Sequence, residues 1–264
     1  LAGAIGAGST SPLMQPEIDI GPITLQTFGL MFALGFIGAG AVLAKRFTEL
    51  GKPPDWAYEV VGAGLIGGIV GAKIDYVIQN PGEPFFSGSG LVWFGGAVGG
   101  AVGVLLWARW RKLPLWQICD AAAVPLALGY AIGRVGCQLA GDGDYGIPWD
   151  GPWAMAYPDG TVPTTEEVHP TPVYEALATG AIAYALWRMR DAFSVGGLFA
   201  FYLVLTGAER LLVEFIRRNE EVALGLTQPQ LISIGMILAG AAWLLSRARR
   251  GDLRVAGGAA PQRA

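Results

Sequence analysis

Charge is scarce in this sequence. Only 15% of its 264 residues are Asp, Glu, Lys or Arg, and 53% are hydrophobic; soluble domains carry about 25% charged residues. That shortage excludes an ordinary soluble domain. Basic excess is also absent: the net charge is -3, which leaves no general cationic surface and argues against a nucleic-acid partner. Cysteine occurs twice, as Cys119 and Cys137, both in apolar segments, so two buried free thiols are expected rather than a disulfide. Histidine occurs once, at His169. The Gly/Ala/Ser-rich stretch from Leu1 to Pro12 lacks Lys and Arg, which makes it a poor signal peptide; residues 1–16 are set apart as a flexible tail. What is abundant is glycine, with 40 residues, and in so apolar a chain small residues suit close helix contact in lipid.

Seven apolar segments have spanning length, at roughly 22–44, 57–79, 91–108, 117–140, 172–188, 195–216 and 228–246. The fold class predicted is all-α, a polytopic membrane bundle of seven transmembrane helices over residues 17–250, followed by a cytoplasmic tail at 251–264. Basic residues set the orientation. Lys45, Arg46 and Lys52 follow the first segment, Arg109, Arg111 and Lys112 the third, Arg188 and Arg190 the fifth, and Arg247, Arg249, Arg250 and Arg254 the seventh. The alternate loops hold almost none; Arg217 and Arg218 are the exception, offset by Glu220 and Glu221. The N-terminus is therefore placed outside and the C-terminus in the cytoplasm. The longest loop, about 141–171, becomes an extracytoplasmic cap, acidic and carrying Trp149, Trp153 and Tyr157.

Orientation converts position into depth. Arg134 is the one charged residue in the largely apolar run from Ala121 to Ala140. It stands roughly 25 Å up its segment at about 1.5 Å per residue. Arg210 stands nearly as high in the sixth segment, and Lys73 and Asp75 in the second. Gln26, Phe28, Phe94, His169, Tyr174 and Glu175 fall at the outer starts of theirs. A charge at this depth is kept where it pairs or binds something. Two arginines at one level suit an anion, because guanidinium matches phosphate with paired donors. Glu214, four residues after Arg210, shares its helix face; an internal ion-pair network that fixes helix packing is the competing reading. His169 could order a polar network or shuttle a proton, or serve structure alone. Asp142-Gly143-Asp144 resembles a fragment of a calcium loop but lacks the other ligands, so no metal and no cofactor are expected.

Four stretches then resemble the prolipoprotein diacylglyceryl transferase family. They are Gly133-Arg134-Val135-Gly136-Cys137 through Gly141 and Asp142 to Gly146; His169-Pro170-Thr171-Pro172-Val173-Tyr174-Glu175; Ile20-Gly21-Pro22-Ile23 with Phe28-Gly29-Leu30-Met31; and Glu209-Arg210-Leu211-Leu212-Val213-Glu214-Phe215-Ile216-Arg217. The resemblance covers about 17–247. It implies an enzyme of the bacterial cytoplasmic (inner) membrane whose partners are phosphatidylglycerol, preprolipoprotein signal peptides with a lipobox cysteine, and membrane lipids. It implies transfer of the diacylglyceryl group to that cysteine with release of glycerol 1-phosphate. Arg134 and Arg210 would hold the phosphate and Glu214 would orient Arg210. His169, Tyr174 and Glu175 would shape the site. Gly133, Gly136, Gly141 and Gly146 would let backbone and lipid approach. Phe28, Phe94, Gly95 and Gly96 would line the substrate site. Phe94 stands where many members have a histidine proposed as base, Phe28 where many have tyrosine, and Cys137 where asparagine is frequent. His169, Glu175 or Asp142 is then left to deprotonate the thiol. A diverged paralogue that binds or moves anionic phospholipid without transfer is the alternative.

Overall fold

The computed structural model describes residues 14–82 and 92–254. Most of the expected N-terminal tail, the end of the C-terminal tail and the first residue of the third apolar segment lie outside the described residues. Within them the chain is mostly helical, with seven helices: α1 (Thr27–Glu49), α2 (Trp56–Gln79), α3 (Trp93–Trp110), α4 (Leu115–Ala140), α5 (Thr171–Met189), α6 (Gly197–Glu214) and α7 (Gln228–Arg249). Four of them, α1, α2, α4 and α7, are long and apolar enough to cross a membrane. The protein is a multi-pass membrane protein.

Each helix matches one predicted segment, but the ends move. The first segment was expected from residue 22. Residues 23–26 instead form β2 (Ile23–Gln26), paired antiparallel with β1 (Glu17–Ile20) in the register Glu17↔Gln26 to Ile20↔Ile23. Alternation of Ile18, Ile20, Ile23 and Leu25 with polar residues is a strand pattern, and Gly21 takes a positive φ of 62° at the turn, where a side chain would be strained. Helix α1 begins where Thr27 turns back on residues 15 and 16: its N–H donates to the Pro16 carbonyl at 2.8 Å. Two further hairpins form outside the helices, β3 (Met155–Tyr157) with β4 (Thr164–Val168), and β5 (Glu221–Ala223) with β6 (Leu226–Thr227). The expectation of a purely helical chain is corrected to that extent.

The described chain divides into two compact units. One holds the described residues up to Gly35, with Ala127–Ala185 and Ala200–Trp243; the other holds Phe36–Leu126, Leu186–Phe199 and the described residues from Leu244.

In the second unit α2 and α3 pack through glycine. A Cβ at Gly71 would enter the Gly95 carbonyl, and one at Gly99 would enter that of Gly67. Backbones in such contact gain dispersion along their whole length. Phe94, Gly95 and Gly96 belong to this face. Asp75 accepts the Gly95 N–H at 3.0 Å and the Gln79 amide at 2.9 Å, and buried Lys73 lies 4.9 Å from the Tyr76 ring centre. The unit's core is Leu43, Phe47, Val60, Trp107 and Ile118, with Trp56 edge-on to Trp107 at 6.0 Å. Asp120 caps α6 by accepting the Gly196 and Phe199 N–H groups at 2.6 and 2.9 Å.

In the first unit, α7 opens on a reciprocal cap. The Thr227 N–H donates to the Gln230 side chain at 3.0 Å, and the Gln230 N–H to Thr227 Oγ1 at 3.4 Å. This is the Thr-x-x-Gln form of a capping box, with Pro229 in the first turn where no N–H is needed.

Candidate active site

Glu175 is the centre of the first unit's charge. Its side chain is fully buried at 0% exposure, one turn inside α5, and both carboxylate oxygens meet polar partners. One carboxylate oxygen, Oε1, accepts Arg210 Nη1 at 3.1 Å and the Tyr130 hydroxyl at 3.1 Å. The other, Oε2, faces Arg134 Nε at 3.2 Å and Arg217 Nη1 at 3.3 Å. Three guanidinium groups, from α4, α6 and the turn after α6, therefore share one carboxylate. Burying a single charge costs several kcal/mol; here four donors offset that cost.

Asp144 is the second bridge. Its two oxygens pair separately with Arg134 and Arg217. Burial pushes its carboxyl upward, but the two guanidiniums outweigh it and hold it below the usual carboxylate range. Its position is set by local structure. Gly141 and Gly143, with φ of 57° and 91°, turn the chain after α4, and Thr171 Oγ1 at the start of α5 donates to the Asp144 carbonyl at 2.5 Å. Glu214 completes the set: its Oε2 meets Arg210 Nη2 at 2.7 Å, and its Oε1 accepts Thr227 Oγ1 and Asn219 Nδ2, both at 2.7 Å. The cap of α7 thus fixes the carboxylate that aims Arg210. The Arg134 guanidinium also lies 4.7 Å from the Tyr130 ring centre, a cation–π contact.

Of the residues expected here, Arg134, Arg210, Glu175 and Glu214 come together. Asp142 lies beside them. Its Oδ1 accepts the Asp144 N–H at 3.3 Å, and burial, then the charge of Asp144, raise its pKa. Asp142, Asp144 and Cys137 place possible ligand atoms within 4.8 Å of one another. The two guanidiniums on Asp144 oppose a cation there.

His169 and Tyr174 form a separate aromatic group. The His169 ring stacks on Trp149 at 4.4 Å and 12°, and its Nδ1 is 3.2 Å from the Tyr174 hydroxyl. Trp153 Nε1 donates to that hydroxyl at 2.7 Å. Partial burial lowers the His169 pKa, which favours the neutral ring.

Three of the four glycines expected here admit close neighbours in the chain. A Cβ at Gly136 would lie 2.9 Å from that of Met31 in α1; one at Gly141 would lie 2.7 Å from the Gly160 Cα; one at Gly146 would strike the Ile216 carbonyl. Gly133 alone of the four faces open space, with nothing within 4 Å. Phe28 is 43% exposed and stacks on Phe32 at 6.3 Å. Phe94, Gly95 and Gly96 lie in the second unit.

Arg217 and Asp144 were missed as site residues. Arg217 had counted only as an exception to the orientation rule, yet it is nearly buried, at 7% exposure. Its place at the end of the Glu209–Arg217 stretch was the available signal.

The prolipoprotein diacylglyceryl transferase family model matches residues 16–246. Among curated proteins, the phosphatidylglycerol–prolipoprotein diacylglyceryl transferase of Bordetella parapertussis is 33% identical over 261 residues, covering 90% of this chain and 98% of its own length. Its namesake in Clostridium tetani is 31% identical over 238 residues, covering 86% and 95%. That of Dehalococcoides mccartyi is 32% identical over 248 residues, covering 88% and 93%.

Proposed function

The chain belongs to the prolipoprotein diacylglyceryl transferase family, and from that premise we propose that it moves the diacylglyceryl group of phosphatidylglycerol to the lipobox cysteine of preprolipoproteins, releasing glycerol 1-phosphate. The observation that carries this reading is the set of three guanidiniums around Glu175 and Asp144. Arg134 and Arg210 hold the lipid phosphate, and Arg217 joins them. In the resting protein the two carboxylates stand where phosphate oxygens would be. An anionic headgroup competes with them for the same N–H donors, and paired donors suit phosphate better than a single point charge would.

The chemistry is displacement at a glyceryl carbon. Sulfur forms a bond to that carbon as the carbon–oxygen bond to phosphate breaks. Negative charge grows on the leaving phosphate, and fixed guanidiniums in a water-poor site stabilise it without reorganising. Glu214 keeps Arg210 aimed. His169, Tyr174 and Trp149 line the approach beside the cap, and Gly133 leaves room next to Arg134.

All seven helices cross the inner membrane, with the N-terminus outside and the C-terminus in the cytoplasm. The shorter α3, α5 and α6 have 18, 19 and 18 residues. That is about 27 Å of helix at 1.5 Å per residue, close to the hydrocarbon thickness of about 30 Å. Residues 141–171 form the outer cap.

The test mixes purified protein with phosphatidylglycerol and a lipobox peptide and follows the peptide's mass. A diacylglyceryl gain that disappears in Arg134→Ala supports the reading. Folded protein that binds the lipid without any mass gain would overturn it.

A further inference from the structure

Two carboxylates of the cluster, Asp142 and Glu209, stand outside the ion pairs of its arginines among the described residues. Arg134, Arg210 and Arg217 supply three positive charges, and Asp144, Glu175 and Glu214 meet them in ion pairs. Glu209, the residue before Arg210 on α6, makes no ion pair among the described residues, and its Oε1 is buried without a hydrogen-bond donor. We propose that Glu209 is the group that takes the proton from the incoming cysteine thiol. This rests on the reading of the arginines as the phosphate site.

A thiol must ionise to attack carbon, and its proton needs an acceptor with a free lone pair. Both oxygens of Glu175 and both of Asp144 are occupied by guanidinium, and Glu214 holds Arg210, Thr227 and Asn219. Asp142 accepts the Asp144 N–H on one oxygen and lies in the loop after α4 beside Cys137. His169 is stacked on Trp149 and bonded to Tyr174. Glu209 differs from all of these: its buried Oε1 has neither a hydrogen-bond donor nor an ion-pair partner among the described residues, whereas the buried Glu214 Oε2 is paired with Arg210.

Charged and polar groups surround it. The groups that act on it are Glu175 of α5, Arg210 beside it, Arg134 and Tyr130 of α4, and Arg217 after α6. The stretch of α7 from Gln228 to Leu245 has no ionisable side chain. A phosphate among the arginines would draw on the cations that now balance the acids, which leaves Glu209 free to accept a proton. The step balances. The S–H proton passes to the Glu209 carboxylate, the sulfur lone pair forms the carbon–sulfur bond, and the carbon–oxygen electron pair leaves with glycerol phosphate. That phosphate or water then receives the proton from Glu209.

The test compares wild type with Glu209→Gln on two lipobox peptides, one with cysteine and one with selenocysteine, whose selenol is ionised at neutral pH. On the cysteine peptide at pH 7, Glu209→Gln is expected to lose about 100-fold in kcat, the usual scale of base catalysis, with KM for phosphatidylglycerol held. On the selenocysteine peptide it should turn over within about threefold of wild type. Wild-type rates for Glu209→Gln on the cysteine peptide would overturn the proposal. So would equal losses by the folded variant on both peptides, which mark a structural role. If Glu209→Gln does not fold, wild type decides: a cysteine-peptide rate that levels off by pH 8, below the thiol's ordinary value of about 8.5, supports an internal base, and one still rising about tenfold per pH unit up to pH 8 refutes it. Arg134→Ala tests the phosphate reading separately, since it should abolish turnover on both peptides.

Discussion

Arg134 and Arg210 hold opposite oxygens of one carboxylate: Arg134 Nε lies 3.2 Å from Glu175 Oε2, and Arg210 Nη1 lies 3.1 Å from Oε1. The two cations therefore sit across a space the width of a carboxylate, held apart and held close by the same group. A phosphate that replaced that group would find its donors already in position, and preorganisation of this kind lowers the cost of binding.

Arg134 works in three directions, toward Glu175, Asp144 and the Tyr130 ring. Lysine offers one point charge and no planar fork. Arg134→Lys is expected to fold and to lose about 100-fold in turnover, close to 3 kcal/mol of transition-state stabilisation. The measurement is the peptide mass assay beside a thermal melt. Full turnover would exclude the forked contact.

Arg217 joins Asp144 and Glu175, sharing Glu175 Oε2 with Arg134 and taking the other oxygen of Asp144. Arg217→Ala removes one guanidinium from both Asp144 and Glu175, which keep Arg134 and Arg210, so the cost stays below the roughly 3–5 kcal/mol of a fully unpaired buried charge. The variant should melt below wild type in detergent, and Arg217→Lys should recover part of the loss. A melt unchanged from wild type would show that Arg217 bears none of the cluster's stability.

His169 titrates with a stability signature. Burial sets its folded pKa below the ordinary 6.5, so the unfolded chain binds the proton more tightly. Its contribution to stability is then present above pH 6.5 and fades as pH falls through the lower folded value. Acid should lower the melting temperature of wild type more than that of His169→Phe, which keeps the Trp149 stack but cannot be protonated. Turnover of His169→Phe should fall only a few-fold, with the wild-type pH profile. A melting curve with the same acid slope in both proteins would remove His169 from this linkage.

The glycine contact of α2 and α3 leaves no room for a side chain at Gly67, Gly71, Gly95, Gly99 or Gly103. Gly71→Leu forces backbone apart at Gly95 and Gly99. Overpacking of this kind costs about 1–3 kcal/mol or more, read as a lower melting temperature and weaker protection of α2 amides from exchange. Gly133→Ala, which meets open space, is the control and should match wild type in stability.

Much of this was legible in the residues. Hydropathy located all seven helices because lipid-length apolar runs have few other uses. Arg134 and Arg210 stood out because charge in such runs is expensive. The hairpins were not legible in the same way. Ile23 and Leu25 read as the start of an apolar run, and only pairing with Ile20 and Ile18 makes them strand. Met155–Tyr157 and Thr164–Val168 are too short to announce themselves between turns. Arg217 was hidden by its position just past a helix, where basic residues usually mark topology. Glu209 read only as a flank of Arg210, because pairing is a three-dimensional fact: which carboxylates are already spoken for cannot be counted along the chain.

The most direct test is a structure of the protein determined with phosphatidylglycerol bound. The phosphorus should lie between the Arg134 and Arg210 guanidiniums, with the Glu175 carboxylate drawn away from at least one of them. A headgroup bound elsewhere, with Glu175 still bridging both arginines, would contradict the account.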